Sequence, residues 1–440
     1  MRHGFAFPLI SNKNCIVTQK FCVWAGMFGK SQSRAGHFGI RGIFMPDAYE
    51  IISQRSGDAD LLASLEKLVP AIAERAHEAE QTGRIPQETI DSLQQIGLFL
   101  AVVPASMGGL EVEFPTVPKI FRLLGRGCMS TAWCMGFLVY HNFQFAHFGQ
   151  QAQQEVWGTD AQTMAPGQVM PSGKAVEVEG GYRVSGRWGY ATGILHGDWM
   201  LFSAPVEGSG EIRRFYAPIS EFEILDTWHV SAMKATGSHD VQAEDMFVPA
   251  YRSVLVSDLR EGRAPGLAIN HGPLWRIPLL SFMSLGAVMP LVGGAEALFG
   301  IVQDMLRAKV GAYSGAKQAE LMTQRVRMSR LDYQLRSTIL MHEKATEQIW
   351  QAVQNGQPIS REWRAEIRMV IAQTAANCRA IVDELALAAG SRGNYFKSPV
   401  QRIHRDVSAL STHALFEYDH LNNMHGGVIL GAGLPEGAML

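Results

Sequence analysis

The spacing of apolar residues changes twice along this chain, and those two changes constrain the fold more than any other feature of the sequence. Up to about residue 148, apolar side chains recur every three or four positions, as on one face of a helix. From about Gly167 they alternate in short β-branched or aromatic runs separated by Gly, Ser and Asp. From Pro278 the helical spacing returns. We therefore predict an α+β chain in which one antiparallel β domain separates two helical domains.

The same changes give the predicted domain boundaries. We expect an N-terminal helical domain at residues 46–160, a central β domain at 161–270 and a C-terminal helical bundle at 271–440. Residues 1–45 contain six basic side chains and no acidic one. Such a segment, which here ends at Met45, is either a basic leader or sequence upstream of the true start.

The individual elements follow from the spacing and from turn residues. Helices are expected at about residues 58–76, 86–97, 117–124, 130–148, 321–349, 362–389 and 405–422. A hairpin is expected to turn at Glu179-Gly180-Gly181, with further strands at residues 199–206, 213–218, 222–227 and 241–248. The later helices are long enough to pack side by side as a bundle.

One apolar stretch has nearly the length of a membrane span. Residues 277–295 are uncharged over 19 positions, and about 20 apolar residues cross a bilayer. Two prolines and three glycines interrupt this stretch, and no second one accompanies it. We interpret it as a pair of buried helices and expect no membrane partner.

Composition excludes several classes of function. The 39 basic side chains nearly balance 41 acidic ones and 47% of the residues are hydrophobic, so the chain is neither a basic nucleic-acid binder nor a disordered protein. The five cysteines are odd in number and contain no CxxC pair, which fits neither a disulfide framework nor a zinc site. We expect a cytoplasmic protein without a metal or a nucleic-acid partner.

The stretch Gly186–Gly193 carries two aromatic residues and a hydroxyl between glycines. If it forms a strand, alternation places Trp188, Tyr190 and Thr192 on one face. That face could stack on a flat heteroaromatic ring, with the threonine hydroxyl bonded to the ring edge and the glycines allowing close approach. An aromatic stripe on a strand is more often part of a hydrophobic core, so both interpretations stay open.

Two histidines are candidates for proton transfer. His141 lies in an apolar predicted helix, and His413 lies in the predicted late helix after Arg405-Asp406. A lone buried histidine is more often a satisfied core residue. Two histidines facing one pocket could move a proton or stabilise a phenolate near neutral pH.

Four segments, in order and correctly spaced, resemble the oxygenase components of two-component flavin-dependent monooxygenases, which have the acyl-CoA dehydrogenase fold. They are Ser130-Thr-Ala-Trp133 with His141, residues 180–199, residues 226–249, and residues 398–406 followed by His413. The resemblance covers about residues 50–430. It implies an N-terminal helical domain, a central antiparallel β domain, a C-terminal four-helix bundle and a homotetramer, with a flavin between the β domain and the bundle.

The resemblance also implies an activity and a set of site residues. Reduced FMN or FAD comes from a separate flavin reductase, O2 is the co-substrate, and a small aromatic, phenolic substrate is hydroxylated, as in aromatic hydrocarbon catabolism. The resemblance makes His141 and His413 catalytic, and it places Trp188, Tyr190, Thr192, Gly193 and Arg307 at the flavin, the last at its phosphate.

The alternative is an acyl-CoA dehydrogenase that oxidises an acyl-CoA thioester. Many such enzymes carry a glutamate base about nine residues beyond an Arg-Asp pair, and counting from Arg405 reaches His413 and Ala414. The nearest following carboxylate is Glu417. Met164–Gln168 also stands where the phenol hydroxylases have a run of serines, which leaves the oxidised atom open.

Overall fold

A computed structural model describes residues 56–168, 170–311, 315–435, 437–438 and 440. The predicted basic leader at residues 1–45 lies outside the described residues. The α+β architecture predicted from the sequence is confirmed, with helices before and after two β-sheets.

Five helices form the N-terminal part. They are α1 (Ser56–Thr82), α2 (Gln87–Gln95), α3 (Thr116–Gly127), α4 (Met129–Phe145) and α5 (Gln150–Trp157). Pro86 precedes the first residue of α2, where a missing N–H costs nothing. Almost every side chain of α4 is buried because the helix is apolar on all sides. Helix α4 therefore runs through the main core and is the rigid element on which the site is built.

Eight strands follow. They are β1 (Gly167–Gln168), β2 (Lys174–Val178), β3 (Gly181–Trp188), β4 (Trp199–Pro205), β5 (Ile212–Pro218), β6 (Glu223–Leu225), β7 (Asp240–Pro249) and β8 (Ser253–Leu255). They form two four-stranded sheets with the orders β1-β4-β5-β8 and β2-β3-β7-β6. The pairs are antiparallel except for β1 with β4. The predicted hairpin is confirmed, since Val178 pairs with Gly181 across its turn.

The sheet β1-β4-β5-β8 contributes to two cores. Phe202 and Phe215 point into the core that this sheet shares with the other sheet. Their neighbours Leu201 and Tyr216, which are directly opposite each other in the β4–β5 register, belong to the core shared with the helices. Because side chains alternate along a strand, every second residue of β4 and β5 faces the helices.

Seven helices complete the chain. They are α6 (Val256–Glu261), α7 (Leu279–Ala287), α8 (Met289–Ala308), α9 (Met322–Gln354), α10 (Arg361–Ala389), α11 (Pro399–Leu410) and α12 (Tyr418–Ile429). Helix α8 packs against α9, α10 and α11, which together make the four-helix bundle, and α12 lies on α10.

The apolar stretch at residues 277–295 is a buried helix pair, as predicted. It consists of α7 and the first turns of α8, with Pro290 near the start of α8 where its missing N–H is tolerated. Residues 279–308 are long and apolar enough to cross a membrane, and 72% of their most apolar window is buried inside the protein. A mostly buried helix of this kind is typical of the core of a globular protein.

The single late helix predicted at residues 405–422 is wrong. Helix α11 ends at Leu410 and α12 begins at Tyr418. The hydroxyls of Ser411 and Thr412 donate to backbone carbonyls three residues earlier, at 3.0 and 2.7 Å, and such local bonds compete with helix continuation. His413 therefore lies in the turn between two helices and not inside one.

Candidate active site

Helix α4 connects the two predicted catalytic histidines through a row of aromatic rings. The ring of His413 lies 5.0 Å from that of Trp133, centroid to centroid. Trp133 is 4.7 Å from Phe137, and Phe137 is 5.7 Å from His141. Trp133, Phe137 and His141 stand four residues apart on one face of α4, so the part of the row on this helix is about 12 Å long. The two imidazoles lie along one helix face without touching.

His141 is held as a neutral hydrogen-bond acceptor. Its side chain is fully buried, and its Nδ1 lies 2.6 Å from the carbonyl oxygen of Ala165. A carbonyl only accepts, so Nδ1 carries the proton and Nε2 is left with a lone pair. Nε2 has no partner among the described residues. Burial lowers the pKa of His141 to about 4, and the positive charge of Arg214 acts in the same direction.

His413 has the opposite tautomer. Its Nδ1 accepts a hydrogen bond of 3.2 Å from the N–H of Leu415, so Nε2 carries the proton of the neutral ring. The residue is exposed in the protomer. Desolvation by the protein around the ring lowers the pKa of His413, as does the positive charge of Arg368, and water at the exposed side screens part of this effect. At neutral pH Nε2 of His141 is therefore a hydrogen-bond acceptor and Nε2–H of His413 is a hydrogen-bond donor.

The prediction that Trp188, Tyr190 and Thr192 share one face is wrong. Strand β3 ends at Trp188, and Tyr190 has a left-handed backbone with φ of +61°, which breaks the alternation. Tyr190 is 71% exposed and meets Trp228 edge to face. Trp188 is 0% exposed, and its Nε1–H donates to the carbonyl of Ser203. With no exposed ring face, Trp188 belongs to the core between the sheets.

Thr192 and Gly193 do lie beside α4 and His141. The backbone of Thr192 forms an isolated bridge with Gly167. Gly167 lies against the His141 ring so closely that a Cβ atom on it would stand 2.8 Å from Cε1 of His141. A Cβ atom on Gly193 would meet Sγ of Cys134 in α4 at 3.0 Å. Small residues at both positions thus let the end of the β domain approach the helix.

The Thr192 hydroxyl begins a chain of buried hydroxyls whose direction is fixed. The Thr236 hydroxyl donates to the carbonyl of Met233 at 2.9 Å. Ser238 must then donate to Thr236, 2.8 Å away, and Thr192 must donate to Ser238, 2.9 Å away. Each hydroxyl has a single proton to donate and lone pairs that accept. The oxygen of Thr192 is consequently available as an acceptor.

Two buried arginines near the histidines could not be found from the sequence alone. Arg368 on α10, beside His413, is 5% exposed, and its Nε and Nη1 have no partner within the described part of the chain. Burial lowers the pKa of Arg368 to about 10. Arg214 on β5, near His141, has the same two nitrogens without a partner. A buried unpaired cation is costly unless something neutralises it, which marks both positions as possible anion sites.

The remaining candidates are less well placed. Arg307 is in the exposed last turn of α8, where it pairs with Asp304 at 3.2 Å, so its role at a flavin phosphate stays a prediction. Glu417, the alternative base, accepts a hydrogen bond of 2.7 Å from the N–H of His420 and caps α12. Within the described ranges there is no group of three or more His, Cys, Asp or Glu side chains that could hold a metal ion.

Comparisons with known proteins agree with this arrangement. The family model of the acyl-CoA dehydrogenase N-terminal domain matches residues 62–164, and that of the C-terminal domain matches residues 285–418. The chain is 30% identical over 367 residues to the flavin-dependent monooxygenase, oxygenase subunit HsaA, of Mycobacterium tuberculosis, which covers 82% of this chain and 93% of HsaA. It is 30% identical over 375 residues to the oxygenase component of p-hydroxyphenylacetate 3-hydroxylase of Acinetobacter baumannii, and this match covers 84% of this chain and 89% of that protein.

Solved structures give the same result. The crystal structure of HsaA from M. tuberculosis matches with a TM-score of 0.82 and 29% identity, over 87% of this chain and 99% of that one. XiaF from Streptomyces sp., in complex with FADH2 and glycerol, matches with a TM-score of 0.81 and 25% identity, over 87% and 97%. The chain therefore belongs to the acyl-CoA dehydrogenase family, among the oxygenase components of flavin-dependent monooxygenases.

Proposed function

We propose that this monooxygenase hydroxylates a small phenolic compound, with reduced flavin delivered by a separate flavin reductase. The names of its relatives as an oxygenase subunit and an oxygenase component support a reductase partner. The observation that carries the proposal is the pair of histidines fixed in opposite tautomers along one face of α4. Hydroxylation of a phenol is favoured by an acceptor for the phenolic O–H and by an N–H donor where oxygen is reduced.

The residues around Thr192 and His413 fit a reduced flavin. The hydroxyl chain leaves the Thr192 oxygen as an acceptor, and reduced flavin carries a donor N–H at N5. The exposed Tyr190 ring offers an apolar surface to a flat ligand, and Gly193 allows a close approach. Arg368 is better placed than Arg307 to hold an anionic part of the coenzyme, because Nε and Nη1 of Arg368 have no partner among the described residues whereas Arg307 pairs with Asp304.

The proposed roles follow from the tautomers. When bound, the reduced flavin supplies the electrons that activate O2. His141 accepts the phenolic proton at Nε2, which makes the aromatic ring more electron-rich. His413 donates a hydrogen bond from its Nε2–H. Thr192 orients the coenzyme through its hydroxyl oxygen, and the aromatic row between the histidines excludes water from the space between them.

The surface of α9 supports the homotetramer that we propose as the working form. Val326, Tyr333 and Leu340 stand seven residues apart on this helix and are exposed, as is Leu387 on α10. Apolar residues at a spacing of seven form a stripe along one helix face, and such a stripe is typical of helix packing between subunits. The described cysteines, Cys128, Cys134 and Cys378, are buried and unpaired, which supports a cytoplasmic location.

The test is a reconstituted reaction with a panel of phenols. Purified protein, a flavin reductase, NADH and FMN or FAD are expected to yield a hydroxylated product in air. His141→Gln should abolish the product while reduced flavin is still consumed and hydrogen peroxide is released. His147→Gln is the matched control, because His147 is equally buried in the following turn, with Nδ1 bonded to the carbonyl of Phe143.

Two results would contradict the proposal. One is product formation under nitrogen with an artificial electron acceptor. The other is bleaching of bound FAD when an acyl-CoA is added to the wild type, with no bleaching in Glu417→Gln. That behaviour is expected of the acyl-CoA dehydrogenase alternative.

A further inference from the structure

Arg214 is a buried cation that the proposed mechanism leaves unused. It lies in the middle of β5 and is 4% exposed. Its Nε and Nη1 are buried and have no hydrogen-bond partner in the described part of the chain. Burial lowers the pKa of Arg214 to about 9, and the positive charge of Arg260 acts in the same direction. A buried guanidinium with no counter-charge is costly, and a bound anion would remove that cost.

A second orphaned group lies directly opposite. Ser203 on β4 pairs with Arg214 in the sheet register, and both residues are on the face that Leu201 and Tyr216 turn toward the helices. Ser203 is fully buried, and its Oγ has no partner among the residues that the structure describes. Cross-strand neighbours have Cβ atoms about 5 Å apart, so the serine hydroxyl and the guanidinium are within reach of one ligand atom.

His141 supplies the third orphaned group. Its Nε2 is buried and unpartnered, and its ring lies against Gly167, which pairs with Leu201 two residues before Ser203. The positive charge of Arg214 is close enough to lower the pKa of His141. Three polar groups from α4, β4 and β5 thus border one region between the helices and the sheet, and none of them satisfies another.

The chemistry of the three groups is selective. Arg214 offers N–H donors with a positive charge, Ser203 offers an O–H donor, and His141 offers an acceptor that can take up a proton. Such a set binds a deprotonated oxygen group, because Arg214 neutralises its charge, Ser203 donates a hydrogen bond to it, and its negative charge favours a proton on Nε2 of His141. A neutral substrate would leave the guanidinium without a counter-charge.

We propose that Arg214, Ser203 and His141 form the binding site for an anionic oxygen group of the aromatic substrate, either a carboxylate or a phenolate. The inference rests on the proposed function and narrows its substrate class to acidic aromatic compounds.

Direct binding tests this site without flavin, reductase or oxygen. The probes are benzoate, which is a carboxylate without a phenol, 4-nitrophenolate, which is a phenolate without a carboxylate, and benzamide, which is neutral. Titration calorimetry and thermal shift are run on the wild type, Arg214→Gln and Arg213→Gln. Arg213 is the matched control, because it precedes Arg214 on β5 and so points to the opposite face.

We expect at least one anion to bind the wild type and the Arg213 variant, and to bind Arg214→Gln at least tenfold more weakly. Benzamide should not bind. The anion that binds identifies the source of the charge. Ser203→Ala should weaken the binding of the same anion several-fold. Arg214→Met removes an unpaired buried charge, so its Tm should be no lower than that of the unliganded wild type.

The proposal is overturned if neither anion binds, or if Arg214→Gln binds both as the wild type does. It is also overturned if Arg214→Met fails to fold, since the guanidinium would then have a structural role. These outcomes are separate from those of the proposed function. Anion binding without any hydroxylation would support this site and refute the proposed function. Hydroxylation of neutral phenols at a rate that Arg214→Gln does not change would support the proposed function and refute this site.

Discussion

Replacing Ser238 by alanine tests the direction of the hydroxyl chain. Ser238 is buried and lies between the hydroxyls of Thr192 and Thr236, at 2.9 and 2.8 Å. In Ser238→Ala, Thr192 loses the group to which it donates, and its proton becomes free to turn toward the coenzyme. A reduced flavin, which carries N5–H, would then face a donor where it had an acceptor, while an oxidised flavin, which has a bare N5, would gain a donor.

The expected size of the effect follows from one hydrogen bond. A buried hydrogen bond contributes about 1 kcal/mol net, which corresponds to about a fivefold change in Kd. We therefore expect Ser238→Ala to weaken the binding of reduced FMN about fivefold and to leave or improve the binding of oxidised FMN. Anaerobic fluorescence titration with each form gives both dissociation constants.

The control is another buried serine. Ser284→Ala on α7 removes a hydroxyl that donates to the carbonyl of Leu280 and has no link to Thr192. It should change neither constant. If Ser238→Ala weakens both flavin forms by the same factor, the chain does not orient Thr192, and the loss reflects a general packing defect.

Three further predictions concern stability and cofactor contacts. Burial raises the pKa of Asp406 from 3.8 to about 6, so the stabilising contribution of Asp406 is present below about pH 4 and is lost as pH rises through 6. Asp406→Asn keeps an acceptor for the N–H of Met233, so we expect it to raise the free energy of unfolding at pH 8 by up to about 3 kcal/mol, and to make Tm less dependent on pH. Trp188→Phe should cost about 2 kcal/mol in denaturant unfolding and leave flavin Kd unchanged, and weakened flavin binding would restore Trp188 as a cofactor contact. In FMN titrations, Arg368→Gln should weaken binding about tenfold whereas Arg307→Gln should not. If Arg307→Gln weakens binding and Arg368→Gln does not, Arg307 is the residue that holds the flavin phosphate.

Much of the fold could be predicted because apolar periodicity reports which face of an element is buried. The hairpin around Gly180 and the buried pair of helices after Pro278 were predicted on that basis. Periodicity failed where a local backbone effect overrode it. Tyr190 adopts a left-handed conformation that no alternation anticipates, and the hydroxyls of Ser411 and Thr412 end a helix whose apolar spacing continues.

The site was predicted only in part for a different reason. Resemblance to a family gave His141, His413 and Thr192, since these residues stand in recognisable segments. It gave neither the opposite tautomers nor the buried arginines, because both depend on contacts between distant segments.

Oxygen labelling tests the central claim most directly. The protein is mixed with chemically reduced FMN and a phenol that it turns over, under ¹⁸O₂ in ordinary water, and the product is analysed by mass spectrometry. We expect one ¹⁸O atom in each hydroxylated product molecule, and none when the label is placed in water instead. A product whose new oxygen comes from water, or a product formed without O2, would contradict it.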